Sequence, residues 1–221
     1  GAPRRFARWL QDAPRAAPAQ QRAERQQWLR AGAAVDRVWP QPPVAGATGL
    51  NHVSVIDALV NHQPSDTAWV VDAGQVRRVA AARLCCRRPR SLFMAEGMAP
   101  MGWSLGAAIG VALADPARPV VALLGDGAMR MHGIEIATAA RYRLPIVYLL
   151  FDNQAYGSVL QRMASADEVA QAGLPAVDWL AFARAFGVPA HRADDARSLH
   201  DALTLPRAAD QPLLIVARVP A

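Results

Sequence analysis

The sequence predicts an α/β protein: a parallel β-sheet with helices on both faces, preceded by an N-terminal helical arm. Three observations point there. Short, uninterrupted apolar runs alternate with stretches of helical periodicity, the pattern of strands buried on both faces. Three of those runs end in polar or Gly-bearing tips: Asp72-Ala73-Gly74-Gln75, Gly125-Asp126-Gly127 and Asp152-Asn153. The 221 residues are 52% hydrophobic and 19% charged, enough apolar content for a substantial core and too much for a disordered chain.

Residues 1–45 differ in texture from the rest. Phe6, Trp9 and Leu10, then Trp28 and Leu29, lie in Ala/Gln/Arg-rich helical stretches interrupted by Pro14 and Pro18. Pro40, Pro42 and Pro43 close this arm as an extended linker. The domain proper is expected over residues 46–221. Its first element is a helix over 53–62, with Val53, Ile56, Leu59 and Val60 on one face. Residues 68–71 read as a buried strand entering the turn at Asp72. Residues 102–114, rich in Gly and Ala, read as a closely packed helix. A second strand over 119–124 leads into Gly125-Asp126-Gly127. A helix over 131–142 and a third strand over 145–151 follow. Residues 178–186 form a further helix, stopped by Gly187, and 213–219 a last strand.

Composition excludes several chemistries. All 24 basic residues are Arg, so neither a Schiff-base lysine nor a lysine-bearing phosphate loop is available. Cys85 and Cys86 are adjacent, and the five His show no zinc spacing. No run reaches the roughly 18 apolar residues of a membrane helix. The net charge of +6 is uneven: residues 77–90 hold six Arg and no acid, and residues 1–40 hold eight Arg against three acids. No nucleic-acid-reading motif accompanies these arginines, so a solvated or subunit-facing surface is expected, with neither nucleic acid nor membrane as partner. A cytoplasmic location is expected.

The chemistry concentrates at strand ends, where open α/β sheets bind ligands. Asp126 ends one strand, and Asn153, 27 residues later, ends the next. A single crossover helix sets the two side by side. One carboxylate, one amide oxygen and a nearby carbonyl form a hard-oxygen set suited to Mg²⁺, whose shell is completed by water and substrate phosphates. Asp and Asn are also ordinary turn residues after strands. Gly-Asp-Gly alone would mean no more than that; the added helix, strand and Asn at this spacing do.

Gly125-Asp126-Gly127 followed at this distance by Asn153 resembles the thiamin-diphosphate motif. Asp72-Ala73-Gly74-Gln75, Arg87-Arg88-Pro89-Arg90-Ser91, Met98-Ala99-Pro100-Met101-Gly102, Ala107-Ala108-Ile109-Gly110 and Asn153-Gln154-Ala155-Tyr156-Gly157 are similar to the C-terminal half of acetohydroxyacid (acetolactate) synthases and their decarboxylase and carboligase relatives. The resemblance runs from about residue 50 to the end; residues 1–45 look more loosely like the tail of that family's central domain.

The resemblance implies a thiamin-diphosphate-binding fold and a role for each matching residue. Asp126 and Asn153 would bind Mg²⁺ through side chains and Ala155 through its carbonyl. Gly74 and Gln75 would touch the diphosphate. Gly125, Gly127, Tyr156 and Gly157 would shape the cofactor site, and Ala128 and Met129 would lie beside the cofactor. Met101 would prop it in its bent conformation. The family's activating glutamate comes from a separate pyrimidine-binding domain with no counterpart in these residues. Either a second polypeptide carries that domain, in a hetero-oligomer, or these residues are a fragment of a longer protein, the first being the expectation taken forward; Glu135 matches a different, structural glutamate. The implied activity is decarboxylation of a 2-oxo acid, with transfer of the resulting carbanion/enamine to a carbonyl acceptor. A simple non-oxidative decarboxylase and a non-catalytic cofactor-binding subunit are the alternatives. Two departures bear on substrate: Val76 replaces the synthases' usual His, and Arg162 replaces a Trp of the acceptor pocket. Arg162 would either meet an anionic group or face solvent. His52, His62, His191 and His200 are expected on the surface, leaving His132 as the one candidate proton carrier.

Overall fold

The computed structural model describes residues 19–34, 49–206, 208 and 210–220. The chain divides into two compact units, Gly1–Trp39 and Pro40–Ala221. In the first, helix α1 (Ala19–Ala34) is built from strong helix formers. Its residues 19–27 are all exposed, and Gln20 donates to Glu24 one turn on, at 3.2 Å. The arm residues Phe6, Trp9 and Leu10 and the Pro40–Pro43 linker lie outside the described residues.

The second unit is a six-stranded, wholly parallel sheet. In chain order it holds α2 (His52–His62), β1 (Ala68–Val71), α3 (Gln75–Arg83), β2 (Leu92–Met94), α4 (Trp103–Ala114), β3 (Val120–Gly125), α5 (Asp126–His132), α6 (Glu135–Arg141), β4 (Ile146–Asp152), α7 (Gly157–Leu160), α8 (Ala166–Gln171), α9 (Trp179–Ala185), β5 (Ala190–Ala193), α10 (Ala196–Thr204) and β6 (Leu213–Arg218). The strand order is β2-β1-β3-β4-β6-β5.

Because side chains alternate across a strand, one apolar sequence serves two cores. Val121, Leu123, Leu149, Phe151 and Ile215 pack on one face with Ile56, Val79 and Leu199 of α2, α3 and α10. Ala122, Leu124, Tyr148, Leu150 and Val216 pack on the other with Leu105, Met129, Ile136 and Ala183 of α4, α5, α6 and α9. All seven residues of β4 are buried.

One expectation changes, and α3, β2 and β5 are additions to the elements expected. The helix expected over 131–142 starts at Asp126, directly on the strand end, and breaks after His132 into α5 and α6. The strand ends so abruptly because Gly125 is extended while Asp126 already turns helically. Helix α3 occupies the Arg-rich run, where charge hid a short apolar stripe of Val76, Val79 and Ala80. The edge strands β2 and β5 are only half-buried, so their sequences lack the continuous apolar signal of the central ones.

Topology fixes where a ligand belongs. From β1 the chain passes outward to β2, then crosses to β3 and β4 on the other side. A crevice opens beyond the carboxyl ends of β1 and β3 at such a reversal.

Candidate thiamin-diphosphate site

That crevice is a solvent-open cleft of about 530 Å³, walled by the carboxyl ends of β1, β3 and β4. Of the residues singled out in the sequence, Gly74, Gln75, Met101, Gly125, Asp126, Gly127, Ala128, Asn153, Ala155, Tyr156 and Gly157 all line it. Met129 does not. Expected beside the cofactor, it is 1% exposed and packs in the core beneath, because α5 begins at Asp126 and turns it away from the cleft.

Asp126 is the carboxylate that lines the cleft. Only 2% exposed, it accepts one hydrogen bond at Oδ1 from the Gly127 amide, at 2.9 Å. Its Oδ2 has no hydrogen-bond partner among the described residues. Burial, then the neighbouring Asp152 charge, raise its pKa to about 6, against the opposing pull of the Gly127 and Gln154 amides and Arg130. Asp152 is itself held by Arg218 at 3.0 Å. A buried carboxylate oxygen without a partner is costly unless a cation or proton satisfies it.

Asn153 lies at the end of β4. Its amide donates to Gln75 Oε1 at 3.3 Å, and its Oδ1 accepts from the Ala155 amide at 3.3 Å. Between them Gln154 adopts a left-handed φ of 54°, a conformation that non-glycine residues adopt only where surroundings enforce it. The enforcement is visible: Leu174 N–H donates to Gln154 O at 2.7 Å, and Tyr156 N–H donates to Ala172 O at 2.9 Å.

Glycines keep the floor open. A Cβ on Gly127 would stand 2.8 Å from the Tyr156 ring, and one on Gly157 2.3 Å from Gln75 Oε1. Gly74 adopts φ 110° to let α3 start at the cleft. The Met101 loop is pinned by Asp72, 1% exposed. Its carboxylate accepts from the amides of Ala73 (2.8 Å), Gly102 (2.9 Å) and Ser104 (2.8 Å). Asp72 is thus a brace for Met101 and for the start of α4.

Other side chains fall elsewhere. Arg162 is exposed and does not line the cleft, whereas Val76 does. Glu135 accepts from Thr138 Oγ1 at 3.0 Å on α6, away from the lining. His132 is exposed and packs against Gly102, whose added Cβ would meet its Nδ1 at 2.2 Å. His62 and His200 are exposed and 3.0 Å apart. His52, expected on the surface, instead lines the cleft, stacked on Phe151 with ring centroids 4.8 Å apart and planes 2° apart. Burial lowers its pKa to about 4. Its sequence signal was weak: a lone His at a helix start, with no partner near it in the chain.

The model for the thiamine pyrophosphate enzyme C-terminal TPP-binding domain matches residues 72–217. The chain belongs to this family of thiamine-pyrophosphate enzymes. It is 33% identical to benzoylformate decarboxylase of Pseudomonas aeruginosa over 181 residues, covering 80% of this chain and 34% of that protein. It is 32% identical to the acetolactate synthase isozyme 1 large subunit of Escherichia coli over 210 residues, covering 92% of this chain and 36% of that protein. The thiamine diphosphate-dependent 4-hydroxybenzoylformate decarboxylase of Rhodococcus jostii RHA1 has the same fold, with a TM-score of 0.71 at 24% identity over 81% of this chain and 34% of that one. The chain thus spans about a third of the length of these relatives. Among the described residues, no helix is long and apolar enough to cross a membrane.

Proposed function

We propose that this chain is the cofactor-binding half of a two-chain enzyme. In this reading it holds Mg²⁺ and thiamin diphosphate, and its assembly decarboxylates a 2-oxo acid and joins the fragment to a carbonyl acceptor. The observation that carries the metal assignment is Asp126 Oδ2, buried and without a partner among the described residues, at the end of β3 in the cleft that Asn153 and Ala155 also line from the end of the neighbouring β4. These donors fit Mg²⁺, which takes oxygen ligands and shares its shell with phosphate. The glycine-floored cleft fits a diphosphate.

Bound thiamin diphosphate supplies the electron sink for breaking the bond to the carboxylate. This chain's residues do the rest by position. Asp126, Asn153 and the Ala155 carbonyl hold the metal. Gly74 and Gln75 present the start of α3 to the diphosphate, and the tight strap at Gln154 keeps Asn153 and Ala155 in register. Met101, braced through Gly102 by Asp72, sets the cofactor's shape by steric contact.

In this reading the group that activates the pyrimidine comes from a partner polypeptide carrying the pyrimidine-binding domain. An exposed apolar side chain on the cleft wall suits a covering partner: Val159 is 45% exposed.

A simple decarboxylase is the second reading, favoured by nearly equal identity to a decarboxylase and a synthase. To test the function, the purified assembly is given aliphatic and aryl 2-oxo acids, and CO₂ and 2-hydroxy ketone products are measured. Carboligation yields both, decarboxylation yields CO₂ and aldehyde, and neither product argues for a non-catalytic subunit. In the enzyme readings Asp126→Ala abolishes turnover while the chains still assemble.

A further inference from the structure

One polar side chain of the cleft has no work in the reading above. His52 is the first residue of α2, and its ring lies flat on Phe151. A stacked ring presents its nitrogens only along its edge. Neither nitrogen has a hydrogen-bond partner among the described residues, although the ring shares the cleft wall with Gln75, Asn153 and Gly157. Of these, Asn153 is assigned above to the metal and Gln75 to the diphosphate. A neutral imidazole offers one N–H donor and one acceptor, whereas phosphate oxygens away from the metal accept and do not donate. Bonds from N–H to such charged oxygens are among the strong ones.

We propose that His52 is a diphosphate ligand, donating its ring N–H to a phosphate oxygen while Phe151 fixes the plane of the ring. The proposal rests on the reading that the cleft seats Mg²⁺ and thiamin diphosphate. It assigns to the start of α2 a binding role that neither the strand-end motifs nor the glycine turns contain. The stack matters because a pre-set ring loses little freedom when it bonds.

The test is isothermal titration of the full assembly at fixed Mg²⁺ with thiamin diphosphate and, separately, with thiamin, which lacks phosphates. His52→Phe keeps the flat stack and removes the donor; His52→Gln keeps a donor and removes the ring. His52→Phe is expected to weaken thiamin diphosphate binding by about tenfold or more, the scale of one hydrogen bond to a charged group. The melting temperature and the affinity for thiamin should stay unchanged, with affinity partly restored in His52→Gln. Wild-type affinity for thiamin diphosphate in a folded His52→Phe would overturn the proposal. Should that variant not fold, equal affinities of His52→Gln and His52→Leu would overturn it too. A wild-type protein that binds no thiamin diphosphate at all would sink the underlying reading with it, a result distinct from the other two.

Discussion

At the scale of single residues, Asp126 is a buried carboxyl whose charge is costly. Its carboxyl titrates near 6 rather than at the ordinary 3.8, because charge in this buried place is poorly solvated. The protonated form is therefore favoured in the folded state. The group contributes stability that is full below about pH 3.8 and is lost as pH rises through about 6. Metal binding has the opposite slope, since Mg²⁺ needs the carboxylate. Mg²⁺-dependent cofactor affinity should fall as pH drops below about 6, approaching tenfold per unit, in a titration series from pH 8 to 5. Asp126→Asn keeps the acceptor for Gly127 and removes the charge. At pH 7.5 it should stabilise the cofactor-free protein by about 1–3 kcal/mol in denaturant unfolding and abolish metal binding. A less stable Asp126→Asn variant that still binds metal would contradict this assignment.

At the scale of elements, the Asp72 brace links a strand end to a helix start and a cofactor contact. Asp72→Ala leaves the Gly102 and Ser104 amides without their acceptor at the buried start of α4. It should cost about 2–4 kcal/mol in chemical denaturation and loosen Met101. Asp72→Asn, with one remaining acceptor oxygen, should cost less. The central strands and the Asp126–Asn153 pair were legible in the sequence because continuous apolar runs and Gly/Asp punctuation are local signals. The brace was not, since Asp72 and Ser104 meet only when β1 and α4 pack. His52 escaped for the same reason: its partner Phe151 is 99 residues away along the chain. Helix α3 was obscured because six of its nine residues, Gln75, three arginines and two alanines, are exposed or half-exposed, leaving only three buried apolar positions. Met129 was misplaced because proximity to the Gly-Asp-Gly turn in sequence does not say which way a helix starting there will face.

At the scale of the molecule, the arginines of residues 77–90 are partly engaged in surface pairs: Arg83 with Asp57 at 2.8 Å, Arg88 with Asp66 at 3.5 Å and Arg77 with Glu96 at 3.6 Å. Exposed pairs of this kind add little stability, which suits a solvated face. In the proposed assembly a partner polypeptide completes the cleft. The most direct measurement is a native mass spectrum of the intact assembly, purified gently from the native host. The expected spectrum contains a second polypeptide together with bound thiamin diphosphate and Mg²⁺, and sequencing that polypeptide locates the activating glutamate. A lone chain carrying neither cofactor nor metal would contradict the proposal that this domain is half of a working active site.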